Sequence, residues 1–324
     1  MRSRVVATGA YLPERVVTNA ALTQFPASAL PLIEEKTGVR ERRHAEESQC
    51  TSDLGVEAAR QCLDRARIDP GSIDVLVLAT SSPDRIQPAT ATRVQEAIGA
   101  RRAFAFDVNS VCAGAVFAMH VADALIRSGS ARTALVVASE VYSRHLNPKD
   151  FGTFPFFGDG AGAVLLAPTD GEAGIVGSLL GSDGSKDHVI QIPAGGTMLP
   201  YSRMTNPTDR YFKMRGKEVY DFAVTQGSAV VEELMQRHGL TREQVRFVIP
   251  HQANANVIRD LAARLGIGLD RFIVNLDRYG NTAAASVLIG LDELWQSGRL
   301  TDGDNVIVVA FGGGLSWGAT LIRS

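Results

Sequence analysis

Residues 107–140, DVNSVCAGAVFAMHVADALIRSGSARTALVVASE, and residues 275–313, NLDRYGNTAAASVLIGLDELWQSGRLTDGDNVIVVAFGG, share one layout. Each reads as a strand, a short turn, a helix ending in Ser-Gly, and a further strand. A shift of 169 residues lays Ser128-Gly129 on Ser297-Gly298, Cys112 on Asn281, and Ser82 on His251. The period is too long for a solenoid. It reads as two related α/β halves fused in one chain, 1–168 and 169–324, with the seam between Pro168 and Gly174. A chance likeness of two βαβ units is the alternative.

The rest of the chain alternates in the same way. The runs at Val5–Ala7, Asp74–Leu78, Ala134–Val137, Ala163–Leu166, Phe247–Ile249 and Val306–Val309 are short, apolar and rich in β-branched residues, as strands buried on both faces are. Helical patterns lie between them. They cover residues 52–66 behind a Ser-Asp cap, the Ala- and Leu-rich stretches 113–128 and 282–297, and an amphipathic stretch over 218–238 that stops at His238-Gly239. This alternation predicts an α/β fold with a largely parallel sheet.

A length of 324 residues with 45% hydrophobic residues supplies ample core. The 33 basic residues nearly balance 35 acidic ones, so no basic stripe argues for nucleic acid or a membrane surface. No apolar run approaches the about 18 residues of a membrane span. The opening MRSRVVATGAYLPERVV does not read as a signal peptide. Three cysteines, Cys50, Cys62 and Cys112, are too few for a disulfide framework, so a reducing, cytoplasmic compartment is expected.

Three residues carry candidate chemistry. Cys112 lies in Asn-Ser-Val-Cys-Ala-Gly-Ala, between a strand and a helix start, where the helix dipole favours thiolate. The structural alternative is a cysteine acting as a small core hydrophobe, which is the reading for Cys50 and Cys62. His251, in Ile-Pro-His-Gln-Ala-Asn, follows a buried strand, at the sheet end where open α/β folds bind ligands. Its imidazole is suited to donate to a carbonyl oxygen or to move a proton, although a lone loop histidine is commonly structural. Asn281, before an Ala-rich run, reads as a helix cap or as a neutral donor beside His251. The duplication brings all three to one end of the sheets. The glycines of Phe311–Gly318 suit a tight hairpin and close backbone approach to an oxyanion. Gly158–Ala163 lacks dinucleotide spacing and runs into a strand, so no Rossmann cofactor is expected.

Six ordered motifs resemble the ketoacyl synthase III family of the thiolase-like superfamily, the initiating condensing enzymes of type II fatty-acid synthesis. They are Thr37–Arg42, Val111–Gly114, Phe157–Ala163, Pro250–Asn254, Tyr279–Thr282 and Phe311–Gly318. The resemblance implies a five-layered αβαβα thiolase fold, a homodimer and an acyltransferase of the Cys-His-Asn type. Cys112, His251 and Asn281 would be catalytic, with an oxyanion hole from the backbone N–H groups of Cys112 and Gly313. No cofactor or metal is implied; the substrates would be CoA or acyl-carrier-protein thioesters and a malonyl thioester. No second catalytic cysteine or catalytic glutamate is evident, which separates the chain from thiolases and hydroxymethylglutaryl-CoA synthases.

The expected thioester entrance departs from the family. Leu32 and Phe151 stand where a tryptophan and an arginine usually flank the adenine of CoA. Asp221, Asn256 and Ala263 stand where basic residues usually meet the carrier protein, with Lys36 and Asn254 nearby. Gln87 replaces a bulky apolar residue expected to reach the partner subunit's acyl tunnel. These departures keep three functions open. They are decarboxylative condensation, acyl transfer to an alcohol, amine or other non-malonyl acceptor in secondary metabolism, and a non-catalytic subunit that binds acyl carriers.

Overall fold

Val75, Val77 and Ala79 point to one face of their strand and Leu76 and Leu78 to the other, and all five are fully buried. A strand covered on both faces needs a helical layer on each side. In the computed structural model, which describes residues 2–324, those layers are present. The strands are β1 (Arg2–Tyr11), β2 (Val16–Thr18), β3 (Glu41–Arg43), β4 (Val75–Ala79), β5 (Phe104–Val108), β6 (Ala134–Glu140), β7 (Gly160–Thr169), β8 (Gly174–Ser182), β9 (Ile190–Gln191), β10 (Lys213–Met214), β11 (Val245–Pro250), β12 (Asn305–Gly312) and β13 (Ser316–Arg323). The helices are α1 (Leu30–Thr37), α2 (Thr51–Ala66), α3 (Thr90–Ala97), α4 (Gly114–Arg127), α5 (Gly216–Arg237), α6 (Ala255–Leu265), α7 (Leu276–Tyr279) and α8 (Ser286–Gln296).

The first sheet runs β1-β7-β6-β4-β5 and the second β11-β12-β13-β8. In each, the last strand lies antiparallel between the first strand and its other neighbour (β7 between β1 and β6, β13 between β8 and β12). In each, a parallel pair follows, β6 with β4 and β12 with β11. Where the first sheet adds β5, the second has only a parallel bridge between Val248 and Phe272. The two sheets therefore repeat one strand order, the second lacking a full outermost strand. The sheets are mixed, not largely parallel as the helix-strand alternation suggested. The antiparallel β13 follows β12 too closely for a helical crossover, and the longer link from β6 to β7 holds only short 3-10 turns and no α-helix.

Helices α4 and α8 fill the middle layer, packing Met119, Ile126, Leu288 and Leu291 among the facing sides of both sheets. Helices α2 and α3 cover the outer face of the first sheet through Leu54, Leu63 and Val94. Helices α5 and α6 cover the second sheet through Val231, Leu234, Ile258 and Leu261. The result is the five-layered αβαβα arrangement expected from the resemblance.

Two buried carboxylates at matched places tie β1 to the middle layer. Asp123 on α4 accepts from the Ser3 hydroxyl at 2.6 Å and pairs with Arg127 at 2.6 Å. Asp292 on α8 accepts from the Thr8 hydroxyl at 2.7 Å and pairs with Arg65 at 2.5 Å.

Candidate active site

The chain enters α4 through a 3-10 turn, Val111–Ala113, and enters α8 through another, Ala283–Ala285. Each turn opens with a side-chain-bearing residue in the left-handed region, Val111 at φ 46° and Ala283 at φ 47°. This costs backbone strain of about 1–3 kcal/mol and occurs where a site demands the geometry. In each turn an asparagine two residues earlier restrains the strained residue. The Val111 N–H donates to Asn109 Oδ1 at 3.2 Å and the Ala283 N–H to Asn281 Oδ1 at 2.9 Å. The true counterpart of Asn281 is therefore Asn109, and that of Cys112 is Ala284. The 169-residue shift superposes the helix ends but not the helix starts, because α8, at 11 residues, is three residues shorter than the 14-residue α4.

Cys112 is buried, and burial pushes its thiol pKa up, with the negative charge of Glu140 adding to the rise. The helix-start argument predicted the opposite direction. Here α4 begins only at Gly114, and desolvation outweighs its dipole. Glu140 ends β6 and accepts from the Ser81 N–H and hydroxyl, both at 3.0 Å, from the Thr80 hydroxyl at 3.3 Å, and from the Ser82 hydroxyl. Burial still raises its pKa to about 7.

His251 is buried and neutral, its pKa lowered to about 3 by desolvation alone. Its Nδ1 lies 2.8 Å from the Ser286 hydroxyl on the first turn of α8, and the Phe311 ring stands edge-on at 5.5 Å. The backbone of Asn281 is clamped on both sides. Its N–H donates to the Phe156 carbonyl at 2.8 Å, and its carbonyl accepts from the Gly158 N–H at 3.0 Å. A Cβ at Gly158 would lie 2.1 Å from the Tyr279 carbonyl oxygen, so only glycine fits this clamp. With Oδ1 engaged at Ala283, the Asn281 side-chain NH₂ is left as donor. Asn281 thus caps a turn, the structural reading weighed for it in the sequence, and its residue also lines the cavity.

Cys112, His251 and Asn281 line one cavity of about 190 Å³. Its walls include Phe157, Phe212, Met214, Tyr220, Phe222, Asn254 and Gly312. A Cβ on Gly312 would come within 2.7 Å of the Cys112 backbone nitrogen. Gly312 therefore makes the closest approach to the cysteine amide, and Gly313 packs beside Val111 and Ile190. Of the expected entrance and tunnel residues, only Asn254 joins this lining. Leu32 and Lys36 sit on α1, where the Lys36 carbonyl accepts from Asn254 Nδ2 at 3.3 Å and Asn256 Nδ2 at 2.7 Å. Phe151 is half-buried and packs edge-on against Phe25 at 5.2 Å. Asp221 is exposed on α5 and pairs with Lys217 at 2.6 Å, so its charge is locally answered. Gln87 is exposed in the loop before α3. Sequence reasoning missed Ser286, Glu140 and the aromatic wall of Tyr142, Phe157 and Phe212. Ser286, five residues after Asn281 in the Ala-rich run, was the one polar residue there that the pattern left unexplained.

Comparison with known proteins gives a consistent result. Residues 106–184 match the family model described as 3-oxoacyl-[acyl-carrier-protein (ACP)] synthase III, and residues 235–324 match that described as its C terminal. The beta-ketoacyl-[acyl-carrier-protein] synthase III of Roseiflexus sp. (strain RS-1) is 44% identical over 316 residues, covering 97% of this chain and 96% of that protein. The crystal structure of 3-oxoacyl-[acyl-carrier-protein] synthase III from Aquifex aeolicus VF5 superposes with a TM-score of 0.92 at 34% identity, covering 99% of this chain and all of that one. A priming β-ketosynthase of a polyketide biosynthetic pathway gives a TM-score of 0.91 at 32% identity, covering 99% of this chain and 96% of that one.

Proposed function

The chain belongs to the 3-oxoacyl-[acyl-carrier-protein] synthase III family, and from that membership we propose that it loads an acyl group onto Cys112 and condenses it with a malonyl thioester. The observation that carries the reading is the meeting of Cys112, His251 and Asn281 in one apolar cavity.

In the first step the Cys112 thiol attacks an acyl thioester. Because its pKa is raised, it must lose its proton as it attacks, and His251, held neutral with its pKa lowered to about 3, is too weak a base to keep it. The proton passes on to the departing thiol, and the acyl group stays on sulfur. The tetrahedral oxyanion is held by the backbone N–H groups of Cys112 and Gly313 in the glycine turn between β12 and β13. In the second step the malonyl thioester carbonyl accepts from the Asn281 amide and from His251 as its Nε2–H tautomer. Carbon dioxide leaves, and the enolate attacks the acyl-cysteine, freeing Cys112 as thiolate to take a proton from solvent. Two donors at about 3 kcal/mol each supply a rate factor of roughly 10⁴. The one Ser286 hydroxyl hydrogen selects the tautomer: turned to the Ala283 carbonyl it leaves Oγ to accept from Nδ1–H, and turned from that carbonyl to Nδ1 it leaves Nε2–H as the donor of the second step.

The reading calls on no cofactor. It takes the protein as a homodimer, supported by β5, an edge strand whose Phe104 is 48% exposed. It takes CoA or carrier-protein thioesters as donors and the cytoplasm as compartment. Among the described residues no helix is long and apolar enough to cross a membrane.

Intact-protein mass spectrometry tests the reading. The enzyme and its Cys112→Ala variant are incubated with acyl-CoA and acyl-carrier thioesters, then chased with malonyl carrier protein. An adduct on Cys112 that the chase discharges as a 3-ketoacyl product is expected. An adduct that survives the chase points to acyl transfer to another acceptor, and its absence with every donor removes the enzymatic reading.

A further inference from the structure

Thr37–Arg42 is the one family motif that places no residue in the lining of the Cys112 cavity. Its last residue, Arg42 on β3, is fully buried, and burial lowers its pKa to about 10, so the guanidinium is charged at neutral pH. Its acceptors are all uncharged. One terminal nitrogen donates to the Val17 carbonyl at 3.0 Å, the other to Asn19 Oδ1 and to the Pro155 carbonyl, both at 2.6 Å, and Nε finds no partner. A cation buried on neutral acceptors is costly to keep.

What the cation holds is the backbone that holds Asn281. The Pro155 carbonyl goes to Arg42, the Phe156 carbonyl accepts from the Asn281 N–H, and the Gly158 N–H donates to the Asn281 carbonyl. The strip is tied off beyond. The Asp159 N–H donates to the Arg43 carbonyl at 2.8 Å, and its carboxylate accepts from the Ala45 and Ser143 N–H groups at 2.8 Å and from the Ser143 hydroxyl at 2.7 Å. Arg42 also backs the joint itself, since a Cβ on Gly158 or on Gly280 would lie 3.2 Å from its own Cβ. Cys112 and His251 are set by other elements, the turn into α4 and the Ser286 contact, and the Phe157 ring is braced by its stack on Tyr142 at 4.9 Å.

Resting on the condensing reading above, we propose that Arg42 is a positioning residue for Asn281, fixing through the Pro155 carbonyl the backbone strip to which Asn281 is bonded. Arg42 touches no substrate. In that reading Asn281 acts only in the second step, so Arg42 serves condensation and not acyl loading.

Two single-turnover rates, both read by intact mass, test this. One is formation of the Cys112 adduct from whichever of acetyl-, butyryl- and octanoyl-CoA loads the unaltered enzyme fastest. The other is discharge of that adduct by malonyl carrier protein. Arg42→Met lowers the ratio of discharge to loading roughly 10- to 100-fold, the scale of a reacting group misplaced by about 1 Å. Arg42→Lys, which keeps the charge and one donor, recovers part of the ratio. Ser143→Ala loosens the far end of the strip and lowers the ratio roughly threefold or more, one hydrogen bond being lost. It decides the matter if neither Arg42 variant folds. A purely structural Arg42 would lower thermal stability and leave the ratio unchanged in the folded fraction, and that result overturns the proposal. So does a loading rate that falls as far as discharge. An unaltered enzyme that takes no acyl group, or whose adduct malonyl carrier does not discharge, would instead overturn the condensing reading itself.

Discussion

Asn281 and His251 are held from the two ends of one residue, Ala283. The Ala283 N–H donates to Asn281 Oδ1 at 2.9 Å. Its carbonyl accepts at 2.9 Å from the Ser286 hydroxyl, which in turn lies 2.8 Å from His251 Nδ1. The left-handed φ of Ala283 serves both contacts at once, so the Asn281 and His251 side chains are set by one strained turn. Removing any bond of this chain is expected to disturb chemistry before it disturbs the fold.

Ser286→Ala takes away the partner of Nδ1 and leaves a buried ring nitrogen unpaired. We expect kcat to fall roughly 10- to 100-fold, the kinetic equivalent of the 1–3 kcal/mol lost with such a bond, with KM for the acyl donor little changed. Ser286→Thr, which restores a hydroxyl, should recover part of the loss. A purely structural role for Ser286 would instead lower thermal stability with kcat preserved in the folded fraction.

Gly312→Ala brings a methyl against the Cys112 amide. Loss of an oxyanion donor lowers acyl transfer roughly 10²- to 10³-fold, and single-turnover loading of Cys112 should show that deficit. Retention of near-normal loading would show that the amide lies outside the oxyanion site.

Glu140→Gln removes a negative charge that raises the Cys112 thiol. The alkylation-rate profile of Cys112 with iodoacetamide should therefore move to lower pH. Stability gives a second readout. The folded protein keeps a proton on Glu140 up to about pH 7, whereas the ordinary value is 4.5. This group's contribution is therefore full below 4.5 and is lost as pH rises through 7. Urea unfolding at a series of pH values should show that slope reduced in the variant.

His251 acts with the opposite sense. The unfolded chain binds its proton near 6.5 and the folded chain only near 3. Its contribution is present above 6.5 and shrinks as pH falls towards 3. His251→Gln should unfold less readily in acid relative to its own stability at neutral pH, and an unchanged acid slope would show that the ring is not desolvated.

Asp292→Ala leaves the Thr8 hydroxyl and the Arg65 guanidinium without their shared partner. The Arg65 side chain is 37% exposed, so solvent recovers part of the loss. A destabilisation of about 1–3 kcal/mol in urea unfolding is expected.

The fold class was legible from local pattern, whereas Cys112, His251 and Asn281, each of which alone also fits a structural role, were singled out by the repeat and the family resemblance. Strand runs such as Val306–Val309, the Ser-Gly helix stops and a polar residue after a buried strand can all be read within a dozen neighbours. What stayed hidden depended on distant contacts. The direction of the Cys112 pKa follows from burial and from Glu140, a residue with no chemical signature in its own segment. The edge strand Phe104–Val108 lacks the doubly buried apolar pattern, since its residues are partly exposed. The alignment of Cys112 with Asn281 failed for a geometric reason. Helix α8 is three residues shorter than α4, and the matching Ser-Gly ends give no sign of it.

That difference of three residues marks two halves that are alike in layout but not in equipment. Two copies that began alike have specialised, one keeping a thiol on its turn and the other an imidazole beside its asparagine. Neither copy is a minimal enzyme, and a protein assembled from two first halves would bear a pair of nucleophiles with nothing to stabilise an enolate. A substitution beside the shared cavity in either half therefore reaches side chains of the other.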